Sequence, residues 1–364
     1  SFSRTFVSLL SIHALRDCFA GIWPIYKHMI DIPLAAAGLI VTSATLIAFM
    51  LQPLFGLWAD HGYSRLCVLL GAALTFPMML LGPLTNYWDQ FAPALTYLIM
   101  FAIVFTTRIG QALFHPAGAT IAGNSTTNHR STYLSIFVAF GWIGYGTSQI
   151  LFTYSYRWTQ THTEWLMVPG GLLLLIAVWG CRPEEARGEV EDRPSLFNSL
   201  TKIPFRQKRL YILFVLLAMM SALDQGLLFL LPELLELKNY PEWYINGGAL
   251  LWFVVGGATG MIPAGFLADK FGKKIVVIGS VAGSIIVFYA FILLQTTSIP
   301  ILILIMIATG SLLNMANPIG VALGQILFPE KSSLISGVLM GLAWALGSIS
   351  PWAVGLMTSR LNLS

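Results

Sequence analysis

The chain has 364 residues, of which 56% are hydrophobic and 10% charged, with a formal net charge of +4. Soluble domains carry about 25% charged residues, so a water-soluble fold is excluded, and the positive balance is no sign of nucleic acid because basic residues also set membrane topology. Cys18, Cys67 and Cys181 stand in or beside apolar segments without metal-ligand spacing and suggest neither a disulfide framework nor a zinc site.

Apolar windows between polar breaks predict eleven membrane-spanning helices, at roughly 5–28, 34–58, 66–84, 94–121, 132–155, 165–182, 209–235, 246–267, 275–295, 299–325 and 333–357. Each is near the ~20 residues that cross a ~30 Å hydrocarbon core at ~1.5 Å per residue. Runs such as LLLLIAVWG (172–180) do not alternate as the strands of a membrane barrel do. The first span holds Arg16 and Asp17 and lacks a small-residue cleavage site, so it is no secretory signal, and a chain starting at Ser1 reads as trimmed. The segment RPEEARGEVEDRPSLFNSLTKIPFRQKR (182–209) divides the chain into an N-terminal six-helix half (1–182), a cytoplasmic linker (183–208) and a C-terminal half (209–364) with five spans.

Lysine and arginine orient the spans. With the N-terminus cytoplasmic, Arg4, Arg65, Arg130, Arg182, Arg187, Arg193, Lys202, Arg206, Lys208, Arg209, Lys270, Lys273, Lys274 and Lys331 lie inside. Only Lys27, Arg157, Lys238 and Arg360 lie outside, and the asymmetry predicts an N-terminus-in topology.

The two halves repeat each other. GLWADHGYSR (56–65) matches GFLADKFGKK (265–274), with Asp60 and Asp269 209 residues apart. Asp17 and Asp224 are 207 apart, each followed by a proline; His115-Pro116-x-Gly118 matches Asn317-Pro318-x-Gly320, 202 apart; and Gly141 matches Gly341, 200 apart. Four matches in one order at a drifting offset indicate an internal duplication. A partner for the sixth span is due beyond Ser364, so a twelfth helix is expected in the parent protein but absent from this chain.

These residues resemble the major facilitator superfamily, which has two six-helix halves and a cytoplasmic G-x-x-x-D-x-x-G-x-R/K loop after the second helix. In the first loop, Gly56, Asp60 and Arg65 fit with the later glycine displaced to Gly62; in the second, Gly265, Asp269, Gly272, Lys273 and Lys274 keep the spacing. HALRD (13–17), LQPLFGLWAD (51–60), LFHPAG (113–118) and SGVLMGLAWALGS (336–348) are similar to the fosmidomycin-resistance-type branch of drug:proton antiporters. Arg108-Ile109-Gly110-Gln111 resembles the exporters' R-x-x-Q/G motif, whose arginine is tied to proton coupling. Gly141, Gly144 and Gly146 form a loose version of the antiporter glycine signature that lacks its glycine-proline pair.

The resemblance implies an alternating-access machine in which Asp60, Arg65, Asp269 and Lys273 latch one conformation. An aspartate at a helix end can accept from backbone N–H groups of a neighbouring helix N-terminus and pair with Arg65. Topology alone would explain the basic residues, but not an aspartate at the same place in both halves.

Ionisable residues inside spans are rare and costly, and each is a functional candidate. Asp17, Arg108 and Asp224 fall near the centres of their spans, at the midplane where repeat-built transporters bind ions and substrate. We expect Asp17 to carry a proton whose affinity depends on its distance from Arg108, shared with Arg16 and with His13, which lies i, i+4 on the same helical face. A satisfied structural cluster is the competing reading, and a metal site at His13 and Asp17 lacks a third ligand. His115 either relays protons or hydrogen-bonds at a turn weakened by Pro116. Asp224, Gln111, Gln225, Asn314 and Asn317, with Trp142 and Trp344, are the candidate substrate-binding residues. Asparagines and glutamines also glue helices together, as Gln149 can, and Trp23, Tyr145 and Trp252 would otherwise be packing or interfacial aromatics.

The function expected is a proton-coupled exporter of a small organic solute such as a drug, phosphonate or siderophore, monomeric, in a bacterial inner membrane and without a cofactor. An uptake symporter or a facilitator uses the same fold. No nucleotide-binding loop, zincin helix or nucleophile elbow points to an enzyme. Anions, cations and zwitterions all remain open as substrates, with Arg16 and Arg108 favouring an anionic or zwitterionic one.

Overall fold

The computed structural model describes residues 3–126, 129–180, 207–294, 296 and 298–360, and among them every regular element is helical. This follows from the composition, because a lipid-embedded backbone must satisfy its own N–H and C=O groups. Among the described residues, helices cover all eleven predicted segments, in nine stretches long and apolar enough to cross a membrane and one shorter apolar helix. They are α1 (Arg4–Met29), α2 (Leu34–Met50, continued by Gln52–Trp58), α3 (starting with Ser64–Ala73), α4 (Pro93–Asn124), α5 (Arg130–Trp158) and α6 (Met167–Gly180). The second repeat supplies α7 (Lys208–Leu237), α8 (Tyr244–Phe271), α9 (Lys273–Leu293), α10 (Ile299–Leu327) and α11 (Leu334–Thr358). The second and third spans form one helical path, Leu34–Trp88, joined through the first decapeptide. The linker expected at 183–208 lies, up to residue 206, outside the described residues.

Both decapeptides turn at a glycine with left-handed backbone, Gly62 at φ 96° and Gly272 at φ 102°. A residue with a Cβ is strained there. The first copy runs through a wide helical turn over Ala59–Tyr63 before it reverses, which explains why its glycine is displaced in sequence.

Helices of the two repeats pack in equivalent pairs. α1 lies along α5 and α7 along α11, while α5 meets α8 and α11 meets α2 across the boundary between repeats. Small residues allow the approach: a Cβ on Gly144 would strike the Ala14 carbonyl, and one on Gly38 would come within 2.8 Å of the Pro351 carbonyl. One buried apolar cluster draws on both repeats, with Phe6, Leu113 and Phe137 from the first and Leu217, Leu339 and Met340 from the second. Large apolar side chains such as Leu98, Trp179, Ile286 and Leu293 face outward over most of their surface, as lipid contact requires.

Contacts join the two repeats at both ends. At the decapeptide end, Asp269 accepts from the Thr132 backbone N–H (3.1 Å) and hydroxyl (2.9 Å), and Lys273 lies 3.4 Å from its other oxygen. At the opposite end, buried Lys27 of α1 pairs with Glu233 of α7, with His28 3.6 Å away. On that rim, the Arg157 guanidinium, 2.6 Å from Glu242, holds the exposed carboxyl below the usual carboxylate range.

Candidate functional site

A cavity of about 160 Å³ lies between the repeats at mid-helix depth. His13, Asp17, Arg108, Gln111 and Trp142 of the first repeat line it, as do Asp224, Gln225, Asn314, Asn317 and Trp344 of the second. The residues singled out as proton-coupling and substrate-binding therefore share one chamber, with Arg16 set behind its wall and fully buried. Trp23 and Tyr145 also line it, but Trp252 lines a separate pocket at the Arg157 and Glu242 rim.

The α1 cluster is assembled by helical spacing and by two neighbouring helices. His13 Nδ1 lies 2.8 Å from the Phe137 carbonyl of α5, and Nε2 lies 3.1 Å from Asp17 Oδ2. A carbonyl only accepts, so Nδ1 carries the hydrogen. The contact on the other side then joins an imidazole lone pair to a carboxylate unless a proton lies between them, on Nε2 or on Oδ2. One labile proton thus belongs to the His13–Asp17 pair. Gly141 of α5 makes the space: a Cβ there would stand 2.6 Å from Asp17 Oδ2 and closer still to His13 Nε2.

Arg16 clamps the cluster. Its Nη2 is 2.5 Å from Asp17 Oδ1 and donates to His115 Nε2 of α4 at 2.8 Å, while its guanidinium carbon sits 4.7 Å from the centre of the Phe114 ring. Beyond a proton relay or a turn-stabilising bond, the structure gives His115 a third role, as acceptor for Arg16. It also supplies the metal ligand that sequence did not offer, since ligand atoms of His13, Asp17 and His115 lie within 4.8 Å of one another. A cation there would meet the Arg16 charge already donating to two of the three groups, so the arrangement favours a hydrogen-bonded cluster.

Arg108 donates to Gln111 Oε1 at 2.6 Å, and its Nε is buried without a partner. Asp224 Oδ1 and Asn317 Oδ1 are likewise buried and without partners among the described residues, and Asn314 neighbours Asp224. Gln225 donates to the Trp344 carbonyl at 3.0 Å and to Ser221, so it also joins α7 to α11. Gln149 similarly reaches the Gly21 carbonyl at 3.4 Å.

The latch residues stand apart at the decapeptide end. Asp269 and Lys273 meet as expected, and Asp269 caps the N-terminus of α5. Arg65, however, is exposed and makes no ion pair with Asp60, which is held by other contacts. Sequence reasoning missed the Lys27–Glu233 pair, because Lys27 read as a topology signal and Glu233 sat inside an apolar span. A carboxylate within a span was the available signal.

The model of the Major Facilitator Superfamily matches residues 5–351. The chain is 23% identical over 371 residues to an uncharacterized MFS-type transporter, YfnC, of Bacillus subtilis, covering 97% of this chain and 86% of that protein. It is 20% identical over 364 residues to the fosmidomycin resistance protein of Escherichia coli, covering 96% and 84%. Among solved structures it superposes on a bacterial homologue of the iron transporter ferroportin in an outward-facing state (TM-score 0.69, 15% identity, 99% and 92% covered). It also superposes on a mutant of the nucleoside transporter NupG (TM-score 0.67, 17% identity, 98% and 92% covered). A family model across nearly the whole chain, and helices long and apolar enough to cross a membrane throughout it, make this a multi-pass transporter of small molecules rather than an enzyme: the chain belongs to the Major Facilitator Superfamily.

Proposed function

We propose that this chain is a proton-coupled exporter of a small organic solute, such as a drug, phosphonate or siderophore, working by alternating access as a monomer in a bacterial inner membrane with its N-terminus cytoplasmic. The observation that carries the reading is the His13–Asp17 contact, which requires a labile proton at the cavity wall. Similarity to a fosmidomycin resistance protein favours export over uptake.

In this scheme, Asp17 is the proton carrier. His13 shares the proton, Arg16 fixes the carboxylate, and Arg108 supplies a charge whose distance from Asp17 changes as the halves rock. An approaching guanidinium favours the ionised carboxylate and a receding one favours protonation, so proton affinity alternates with access. Asp224, Gln111, Gln225, Asn314, Asn317, Trp142 and Trp344 bind the solute. Asp60, Arg65, Asp269 and Lys273 act as the latch between the six-helix half at 1–182 and the half at 209–364.

The test is reconstitution in liposomes under a pH gradient, with lumenal pH recorded as phosphonates, siderophores and cationic drugs are added in turn. Substrate-dependent proton movement that Asp17→Asn abolishes is expected. Solute flux with the same proton movement in both proteins would make the chain a facilitator and Asp17 a structural residue.

A further inference from the structure

Two charges in the cavity have no counterion among the described residues. Among the described residues, neither Arg108 nor Asp224 makes an ion pair, and the partnerless atoms of both, Nε and Oδ1, are buried. Arg16, by contrast, is paired with Asp17 and is fully buried outside the cavity lining. A lone charge at low dielectric is costly, and it is tolerated where a partner arrives.

The duplication accounts for the asymmetry. The offset of 207 that pairs Asp17 with Asp224 pairs Arg16 with Leu223 and His13 with Met220, so the second repeat keeps the carboxylate and has none of its partners. The offset of 202 that pairs His115 with Asn317 pairs Arg108 with Gly310, so the guanidinium has no counterpart either. Each half therefore presents one unpaired charge, positive from α4 and negative from α7. Tyr145 lies within electrostatic range of both, on an otherwise largely apolar wall.

We propose that the solute is a small zwitterion whose anionic group is held by Arg108 and whose cationic group is held by Asp224. This rests on the reading of the cavity as the transport site. A guanidinium fork suits a planar carboxylate or a phosphoryl group, and an aspartate beside Asn314 suits an ammonium. A solute carrying both charges bridges the halves, and its binding energy is realised only where the two helices approach. A pure anion leaves Asp224 bare, and a pure cation leaves Arg108 bare.

The test uses the purified full chain in detergent, with calorimetric titration of ω-amino carboxylates from β-alanine to 6-aminohexanoate. Each is matched by the alkyl carboxylate lacking the amine and the alkylamine lacking the carboxylate. At least one zwitterion is expected to bind about tenfold or more tighter than both of its halves. Arg108→Gln and Asp224→Asn are each expected to weaken that zwitterion about 30-fold, the equivalent of about 2 kcal/mol. Arg108→Gln should spare the alkylamine, and Asp224→Asn should spare or strengthen the alkyl carboxylate. Asp224→Glu is measured beside Asp224→Asn, so that rescue of zwitterion binding separates a lost ion pair from a misfolded protein. The proposal is overturned if alkyl carboxylates bind as well as their amino counterparts, if Asp224→Glu behaves as Asp224→Asn, or if no zwitterion of the series binds. Binding is read without a pH gradient, so a chain that binds the zwitterion but moves no protons keeps this proposal and loses the antiport reading.

Discussion

A methyl group on residue 141 would lie 2.6 Å from Asp17 Oδ2 and nearer still to His13 Nε2. Gly141→Ala must therefore push the His13–Asp17 pair apart or shift α5 off α1. Overpacking of this kind costs about 1–3 kcal/mol. We expect a protein that still purifies as a single species, melts at a lower temperature, and has lost most of its substrate-dependent proton movement; unimpaired coupling would show that the pair does not carry the proton. The His13–Asp17 spacing was legible in sequence because both lie on one face of one helix. The Arg16–His115 bond was not, since 99 residues separate them and only the packing of α4 against α1 brings them together.

Across elements, the ends of the molecule are held by contacts between repeats. Breaking a fully enclosed ion pair by removing one partner costs about 3–5 kcal/mol. Lys27→Met should cost less, because Glu233 keeps 19% of its side chain exposed and has His28 nearby. The double variant Lys27→Met/Glu233→Leu is expected to melt above either single variant, since it leaves no stranded charge; additive losses in the cycle would deny the pair. At the decapeptide end, Asp269→Ala removes the acceptor for the Thr132 N–H and hydroxyl, a capping loss of about 0.5–2 kcal/mol. Spin labels on the facing ends of α5 and α8 should then report longer distances; an unchanged distribution would reduce Asp269 to a topology residue. The Arg157–Glu242 contact responds to pH with a definite sign. Glu242's carboxyl is lowered in the folded protein, so the contact is intact at neutral pH and is lost as pH falls through that lowered value. Both partners are exposed, so Glu242→Gln should move the melting temperature little at any pH, as a thermal series would show.

At the scale of the whole molecule, the distribution of lysine and arginine predicts a cytoplasmic decapeptide end. Cysteines substituted at His61 and Asn239 should react with a membrane-impermeant thiol reagent from opposite sides of an intact cell, His61→Cys only after permeabilisation. The reverse pattern would invert the transporter and with it the direction assigned to proton flow. The same scale shows that the duplication is not symmetric: the helix pairs repeat, but the His13–Asp17 contact has Met220 and Asp224 at the matching positions of the second half.

The sequence by itself determined the helical segments, the internal repeat, the paired decapeptides and the set of ionisable residues within apolar segments, because hydropathy, charge and turn glycines act locally or at a fixed repeat offset. It also indicated which residues share the cavity, through the duplication and the resemblance it revealed. Only the tertiary structure decided how the charges are partnered. Arg16 turns to Asp17 and His115 while Arg108 and Asp224 have no counterion among the described residues, and Lys27 is buried against Glu233, 206 residues away. Helical periodicity specifies the face on which a side chain stands. The partner across that face is set by packing between distant helices, where a glycine at 141 or 144 admits an approach that a single methyl group would forbid.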